Sequence, residues 1–404
     1  MQKTIFKESL KMTDKLYLNN TQLKAELERC LKCANKPCTK ACPVHCSPQE
    51  FISQAKEGNF NQAVSTISSQ NPMGQTCGLI CPDKFCMQAC TRNKIDFAIN
   101  IPKVQATIMK KYRTEEKQPP FSKSNGFKIA IIGAGPAGLS AAKSLCQKGF
   151  EVCIYEAEGK IGGALSLIPE DRLPYEVVEK DAAEILKNEL ITLHLNSRIA
   201  NPSDLFNQSF DGVIIAGGEQ KITALNITGQ EYSLPYTEYL KNPEKYKTAG
   251  KVAIIGGGNV AIDCALTARK NGAMIVEMFV RRRLSNMRIS KQEYLEIINQ
   301  EINVNTLSSP KKIEKEADGQ LCLYVCKNQY NNNLLEEIPN STAKLEGFDF
   351  VVTAIGSRAE PKIDDSRIIY AGDCLTGGST LVQALASGRE AAELMADRLL
   401  QNKK

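Results

Sequence analysis

The chain has 404 residues, 42% hydrophobic and 24% charged, which is enough for two to three domains with ordinary cores and too apolar for a disordered chain. The net charge is only +6, Trp is absent and 6% of residues are aromatic, a poor match to proteins that hold nucleic acid by charge and stacking. Cysteine is the outlier: of 15 in total, nine fall within residues 30–90.

Residues 1–20 mix Lys, Glu and Asp and lack the apolar segment of a secretory signal. No uninterrupted apolar run reaches the roughly 18 residues of a membrane-spanning helix. The expectation is therefore a cytoplasmic protein without a membrane segment. Dense cysteine in such a chain reads as metal ligands or reactive thiols rather than disulfides.

In chain order, Leu16, Leu23, Leu27 and Leu31 fall at near-helical spacing. Residues 48–57 and 60–69 read as short helices split by Gly58-Asn59. Asn100 followed by Ile101-Pro102 predicts an N-cap and a helix to about Lys111. Residues 116–126 are a linker. Residues 128–132 and 251–255 are short apolar strands, each running straight into glycine. Residues 331–333 predict a hairpin tip, 367–371 a last strand and 380–399 a terminal helix.

The first glycine turn is Gly133-Ala134-Gly135-Pro136-Ala137-Gly138. Its glycines serve a tight turn, close backbone approach to a pyrophosphate and helix–strand packing. Glu156 ends the next strand, 23 residues beyond Gly133, where a ribose-binding acid belongs. The second turn is Gly256-Gly257-Gly258-Asn259-Val260-Ala261. Its next strand, 274–280, leads into Arg281-Arg282-Arg283, with Arg288 beyond. Guanidinium groups there would bind a 2′-phosphate in bidentate fashion, although Glu277 lies inside the same strand. Two such sites point to a flavin and a nicotinamide, with Glu156 marking FAD and the arginines marking NADPH.

The cysteines form two groups, Cys30-x2-Cys33-x4-Cys38-x3-Cys42-Pro43 and Cys77-x3-Cys81-Pro82-x3-Cys86-x3-Cys90. These spacings suit iron–sulfur clusters that share ligands between runs, and fit the two CxxC pairs of a zinc site poorly. His45 reads as a packed or hydrogen-bonded residue, and Cys46 and Cys77 as structural. Cys146, Cys153, Cys264 and Cys374 read as buried apolar residues. Cys322 and Cys326 read as core rather than a redox dithiol.

With these motifs in hand, the chain resembles the electron-input module shared by dihydropyrimidine dehydrogenases and the small subunit of bacterial glutamate synthase. The resemblance covers residues 20–400. It is carried by CLKCANKPCTKACPVH (30–45), TCGLICPDKFCMQACT (76–91), INIPKVQ (99–105), IIGAGPAGLSAA (131–142), RLPYEVV (172–178), IIGGGNVAIDCALTARKNGA (254–273), VRRRLSNMR (280–288) and YAGDCLTGGSTLVQALASGREAA (370–392).

The resemblance implies an α/β fold. A helical iron–sulfur domain (1–120) precedes an FAD-binding Rossmann-like domain (126–245 and 347–404) interrupted by an NADPH-binding one (246–346). It implies two 4Fe–4S clusters, one on Cys30, Cys33, Cys38 and Cys90, the other on Cys42, Cys81 and Cys86 with Gln105 as fourth ligand. It assigns Gly133, Gly135, Pro136, Ala137, Gly138, Glu156, Gly163, Arg172, Gly372 and Asp373 to FAD. NADPH falls to Gly256, Gly258, Asn259, Val260, Ala261, Arg281, Arg282 and Arg288. The cofactors then do the chemistry, and no catalytic acid, base or nucleophile is implied.

Two departures stand out. Four residues separate Cys81 from Cys86 where the family usually has five, and Cys46 replaces a usual non-cysteine. The sequence carries neither the FMN-binding barrel nor an amidotransferase domain, so the expected acceptor is an FMN-containing partner subunit, in a homo- or hetero-oligomer. Gln105 favours the pyrimidine branch, because the glutamate synthase branch usually has an acid there. The alternatives are a glutamate synthase small subunit, a stand-alone NADPH reductase of dyes, oxygen or nitro compounds, and a zinc module for nucleic acid.

Overall fold

The computed structural model describes residues 16–114, 123–219, 221–287, 289–359 and 361–401. They form two compact units. One contains residues up to Ser166, Glu170–Gly218 and those from Ala359 onward; the other is Leu167–Pro169 with Glu219–Arg358.

The first unit begins with helices Asn20–Glu28, Pro37–Lys40, Pro48–Lys56, Phe60–Gln70, Gly74–Ile80 and Ile101–Tyr112. Local chemistry sets their ends. Asn19 and Gln22 form a reciprocal capping box. Gly58, with φ of 83°, breaks the chain between the third and fourth helices. Asn100 caps the last by accepting from the Lys103 N–H at 3.2 Å. Phe51, Ile52, Ile67, Val104 and Ile108 are buried in the interior of this helical segment. The leucine spacing at 16–31 overreaches: the helix holds only Leu23 and Leu27, and Leu31 lies beyond its end, 42% exposed.

A five-stranded parallel sheet completes this unit, in the order Ile368–Tyr370, Gly212–Ile215, Lys128–Ile132, Glu151–Tyr155, Ile191–His194. Its central strand is apolar after Lys128, and its middle residues Ile129, Ala130 and Ile131 are buried, as a strand covered on both faces requires. Helix Pro136–Cys146 follows that strand, and helix Leu381–Gln401 packs along it, with the Ser140 hydroxyl donating to the Leu385 carbonyl at 2.7 Å.

The second unit holds four parallel strands in the order Ala343–Thr353, Lys251–Ile255, Ile275–Val280, Asn303–Thr306. Antiparallel strands Leu321–Asn331 and Ser308–Lys315 extend one edge. Strand periodicity divides the core: Val252 and Ile254 face helix Asn259–Lys270, while Ala253 and Ile255 pack with Phe279 and Phe348 on the other side. Strand Leu321–Asn331 turns back into Leu334–Glu337 through Asn332 and Asn333, both left-handed, as the asparagine run predicts. Among the described residues no helix is long and apolar enough to cross a membrane.

Candidate functional site

Each glycine turn follows its central strand directly. Gly133 has φ of 106°, and a side chain there would lie 2.6 Å from the Ala216 carbonyl. Gly256 repeats this, with φ of 146° and 2.2 Å to the Ala354 carbonyl. Only glycine fits either position. At the N-caps, Gly135 and Gly258, an added side chain would meet no atom within 4 Å. Each turn therefore leaves an open cradle at a helix N-terminus, which suits a pyrophosphate.

The Glu156 carboxylate is buried and braced at the first turn. It accepts from the Ala134 N–H at 2.8 Å and the Glu158 N–H at 2.9 Å. Gly163 crosses the same loop, where an added Cβ would lie 3.4 Å from the Gly135 Cα. Pro136 and Ala137 open the helix. Gly372 donates to the Ser387 hydroxyl at 2.8 Å, and Asp373 accepts from the Ser379 hydroxyl at 2.6 Å. Burial pushes the Asp373 carboxyl up. Arg172 is half-buried just before helix Tyr175–Leu186.

At the second turn Val260 is exposed, Ala261 is buried, and the Asn259 Oδ1 is buried without a hydrogen-bond partner. Arg281 and Arg282 follow strand Ile275–Val280 and are exposed. Arg283 stacks over the Tyr330 ring at 4.4 Å. Arg288 lies outside the described residues. Glu277 is engaged elsewhere, paired with Lys251 at 2.8 Å and accepting from Asn305 at 2.9 Å.

The cysteines come together as two sets, each drawing on both sequence groups. Cys30, Cys33, Cys38 and Cys90 line one small pocket with Ile52 and Thr91. Burial raises the Cys30 and Cys38 thiols, and Cys90 adds to both. Cys42, Cys46, Cys77, Cys81 and Cys86 form the second set, close enough for their charges to act on one another. Backbone N–H groups aim at these sulfurs: Lys32 at Cys30, Thr39 and Gln49 at Cys38, Val44 and Cys46 at Cys42, Met87 at Cys86. Clustered thiols with amide donors fit iron–sulfur ligation.

Gln105 reaches the second set from helix Ile101–Tyr112. Its Nε2 donates to the Gly74 carbonyl at 2.7 Å, and its Oε1 lies 3.8 Å from the Cys46 sulfur. Cys46 and Cys77 are buried inside this set rather than apart from it. His45, expected to pack, is exposed; its left-handed backbone, φ 52°, shapes the turn instead. The six later cysteines are all buried.

Sequence reasoning missed the side chains that fasten this thiol set to the parallel sheet's helices. Asp181, fully buried, accepts from the Thr76 N–H at 2.7 Å and pairs with Arg113. Arg389 donates to the Val44 carbonyl at 3.3 Å and also to the Gln70 carbonyl. Lys143 donates to the Ser68 carbonyl at 2.7 Å. These partners lie 68 to 345 positions away in the sequence, beyond the range of any local pattern.

Two strand–turn–helix cradles, one with a braced acid, define a dinucleotide-binding oxidoreductase. The fold agrees: the thioredoxin reductase of T. acidophilum aligns with a TM-score of 0.53 at 17% identity, over 68% of this chain and 99% of that one. Residues 127–372 match the family described as pyridine nucleotide-disulphide oxidoreductase. Residues 7–117 match the family described as dihydropyrimidine dehydrogenase domain II, 4Fe-4S cluster. The NAD-dependent dihydropyrimidine dehydrogenase subunit PreT of Escherichia coli (strain K12) is 30% identical over 91% of this chain and 92% of its own. The glutamate synthase [NADPH] small chain of the same strain is 26% identical over 92% of this chain and 90% of its own. The chain belongs to this family of iron–sulfur flavoproteins: it is an NAD(P)H-dependent oxidoreductase that binds FAD and a 4Fe–4S cluster.

Proposed function

We propose that the chain oxidises NADPH and passes the electrons through two 4Fe–4S clusters to an FMN-containing subunit of dihydropyrimidine dehydrogenase type. When bound, the flavin supplies two-electron chemistry toward nicotinamide and one-electron chemistry toward iron–sulfur clusters. The chain's own task is binding and positioning.

The first cradle takes the FAD pyrophosphate on Gly133, Gly135, Pro136, Ala137 and Gly138. Glu156 meets the ribose, with Gly163, Arg172, Gly372 and Asp373 around the rest. The second takes the nicotinamide nucleotide on Gly256, Gly258, Asn259, Val260 and Ala261, with Arg281, Arg282 and Arg288 toward the 2′-phosphate. Cys30, Cys33, Cys38 and Cys90 hold one cluster. Cys42, Cys81 and Cys86 hold the other, with a fourth ligand at the corner where Gln105 lies.

The observation that carries the electron route is the join at Arg389. Its helix packs on the FAD turn, and its guanidinium reaches Val44, between Cys42 and Cys46. The relatives named a subunit and a small chain support a partner as acceptor. Gln105 supports the pyrimidine branch.

The NADPH assignment rests on Arg281 and Arg282, and on Glu277 being neutralised by Lys251. It is tested with Arg282→Glu. Wild type should show a higher kcat/KM for NADPH than for NADH. The variant should lose about tenfold of that preference or more, the cost of a charge-assisted hydrogen bond. An unchanged ratio, or a wild type that prefers NADH, sinks the assignment. Anaerobic co-purification tests the partner: an FMN protein supports the pyrimidine reading, and a large amidotransferase overturns it.

A further inference from the structure

We infer that Cys46, not Gln105, is the fourth ligand of the second cluster, which four thiolates therefore hold. The inference rests on the two-cluster reading above and departs from the ligand set that the resemblance implies.

The Cys46 sulfur and the Gln105 Oε1 lie 3.8 Å apart. They occupy one corner of the thiol set, and a single iron there takes one of them. Chemistry favours the sulfur: a thiolate is soft and charged, an amide oxygen hard and neutral, and 4Fe–4S clusters are held by thiolates as a rule.

The surroundings of Cys46 are those of its neighbours Cys42 and Cys86. The Ser47 N–H aims at its sulfur, as the Val44 and Cys46 N–H groups aim at Cys42 and the Met87 N–H at Cys86. A turn brings it there: the His45 N–H donates to the Cys42 carbonyl at 2.9 Å, and the left-handed His45 directs the next residue back onto the set. Cys46 is 2% exposed, so the geometry does not serve a surface thiol.

Cys77, the other surplus thiol, is placed differently. Its sulfur bonds to the side chains of Cys81 and Asn71. Two thiols within hydrogen-bond reach of each other share one corner, and Cys81 takes it. Gln105 already has a task, since its Nε2 ties helix Ile101–Tyr112 to the Gly74 carbonyl.

The test uses anaerobically purified holoprotein as wild type, Cys46→Ser and Gln105→Ala, with FAD content and circular dichroism as fold checks. Iron, acid-labile sulfide and low-temperature EPR are the readouts. Wild type should carry about eight irons. C46S should fall to about seven or to about four, with an altered or lost second-cluster signal and FAD retained. Q105A should keep wild-type iron and spectra. Wild-type iron and spectra in C46S, or cluster loss in Q105A, overturn the assignment. Should C46S lose FAD and fold, Q105A decides alone. A wild type with only about four irons overturns the two-cluster reading and this assignment with it.

Discussion

Lys143 is a half-buried amine that the fold has largely taken out of water. Its Nζ donates to the Ser68 carbonyl at 2.7 Å. Burial first, then the nearby Arg389, lowers its pKa from 10.5 to about 8. Between those values the unfolded chain binds more protons at this site than the folded one, so its contribution to stability rises with pH. Below about pH 8 the folded state carries the whole penalty of a buried ammonium. Lys143→Met removes that dependence. The stability difference, wild type minus variant, should therefore shift in favour of wild type from pH 8 to 10, by at most about 1.4 kcal/mol per unit. Urea denaturation of both proteins across that range measures it, and a pH-independent difference would contradict the burial argument. Nothing in the sequence marks Lys143, because its partners come from elsewhere in the chain. The placement of Glu156 and of the Cys30 and Cys33 pair is legible, because it depends on neighbours a few residues away or on a regular strand–helix repeat.

Helix Pro136–Cys146 carries the first glycine turn, the cradle proposed above for FAD, and its packing allows no slack. A side chain at Gly388, on the last helix, would lie 2.0 Å from the Ala137 carbonyl. Gly388→Ala must push the two helices apart, at a cost of about 1–3 kcal/mol. Because Ala137 belongs to the turn itself, the displacement should also weaken flavin binding. A lower Tm together with faster flavin release, read by fluorescence, is the expected pair of results. An unchanged Tm would show that the contact yields without strain. Strand–glycine–helix elements such as this one were legible from their periodicity. Helix Gly74–Ile80 was not. Its seven residues include two glycines, so propensity speaks against it, and it is held by Asp181 accepting from the Thr76 N–H.

In the larger of the two units, one ion pair joins the cysteine-bearing helices to the parallel sheet's helices. Asp181 and Arg113 are almost wholly buried, and Arg113 also donates to Gln75 at 3.1 Å. Removing one partner strands the other charge in the interior. Asp181→Ala should cost about 3–5 kcal/mol. The apolar double variant Arg113→Met, Asp181→Leu should cost much less, since it leaves no charge unpaired. Thermal or urea denaturation of the three proteins decides, and equal losses in single and double variants would sink the argument. Composition and motifs made the helical cysteine segment and both nucleotide turns legible. They could not show how the segment is fastened, because the fastening uses ordinary Asp, Arg and Lys residues with no pattern of their own.

The pocket of Cys30, Cys33, Cys38 and Cys90 takes three thiols from one short stretch and the fourth from far along the chain. Iron held there, as proposed above, would close the intervening residues into a loop and remove freedom that the unfolded chain would otherwise keep. The second set has the same long-range character, with Cys42 near one end and Cys81 and Cys86 near the other. Metal supply then enters the folding equilibrium as any ligand of the native state does, raising stability with the logarithm of its concentration. A supply of iron too low to fill the sites would thus lower the stability of the fold itself.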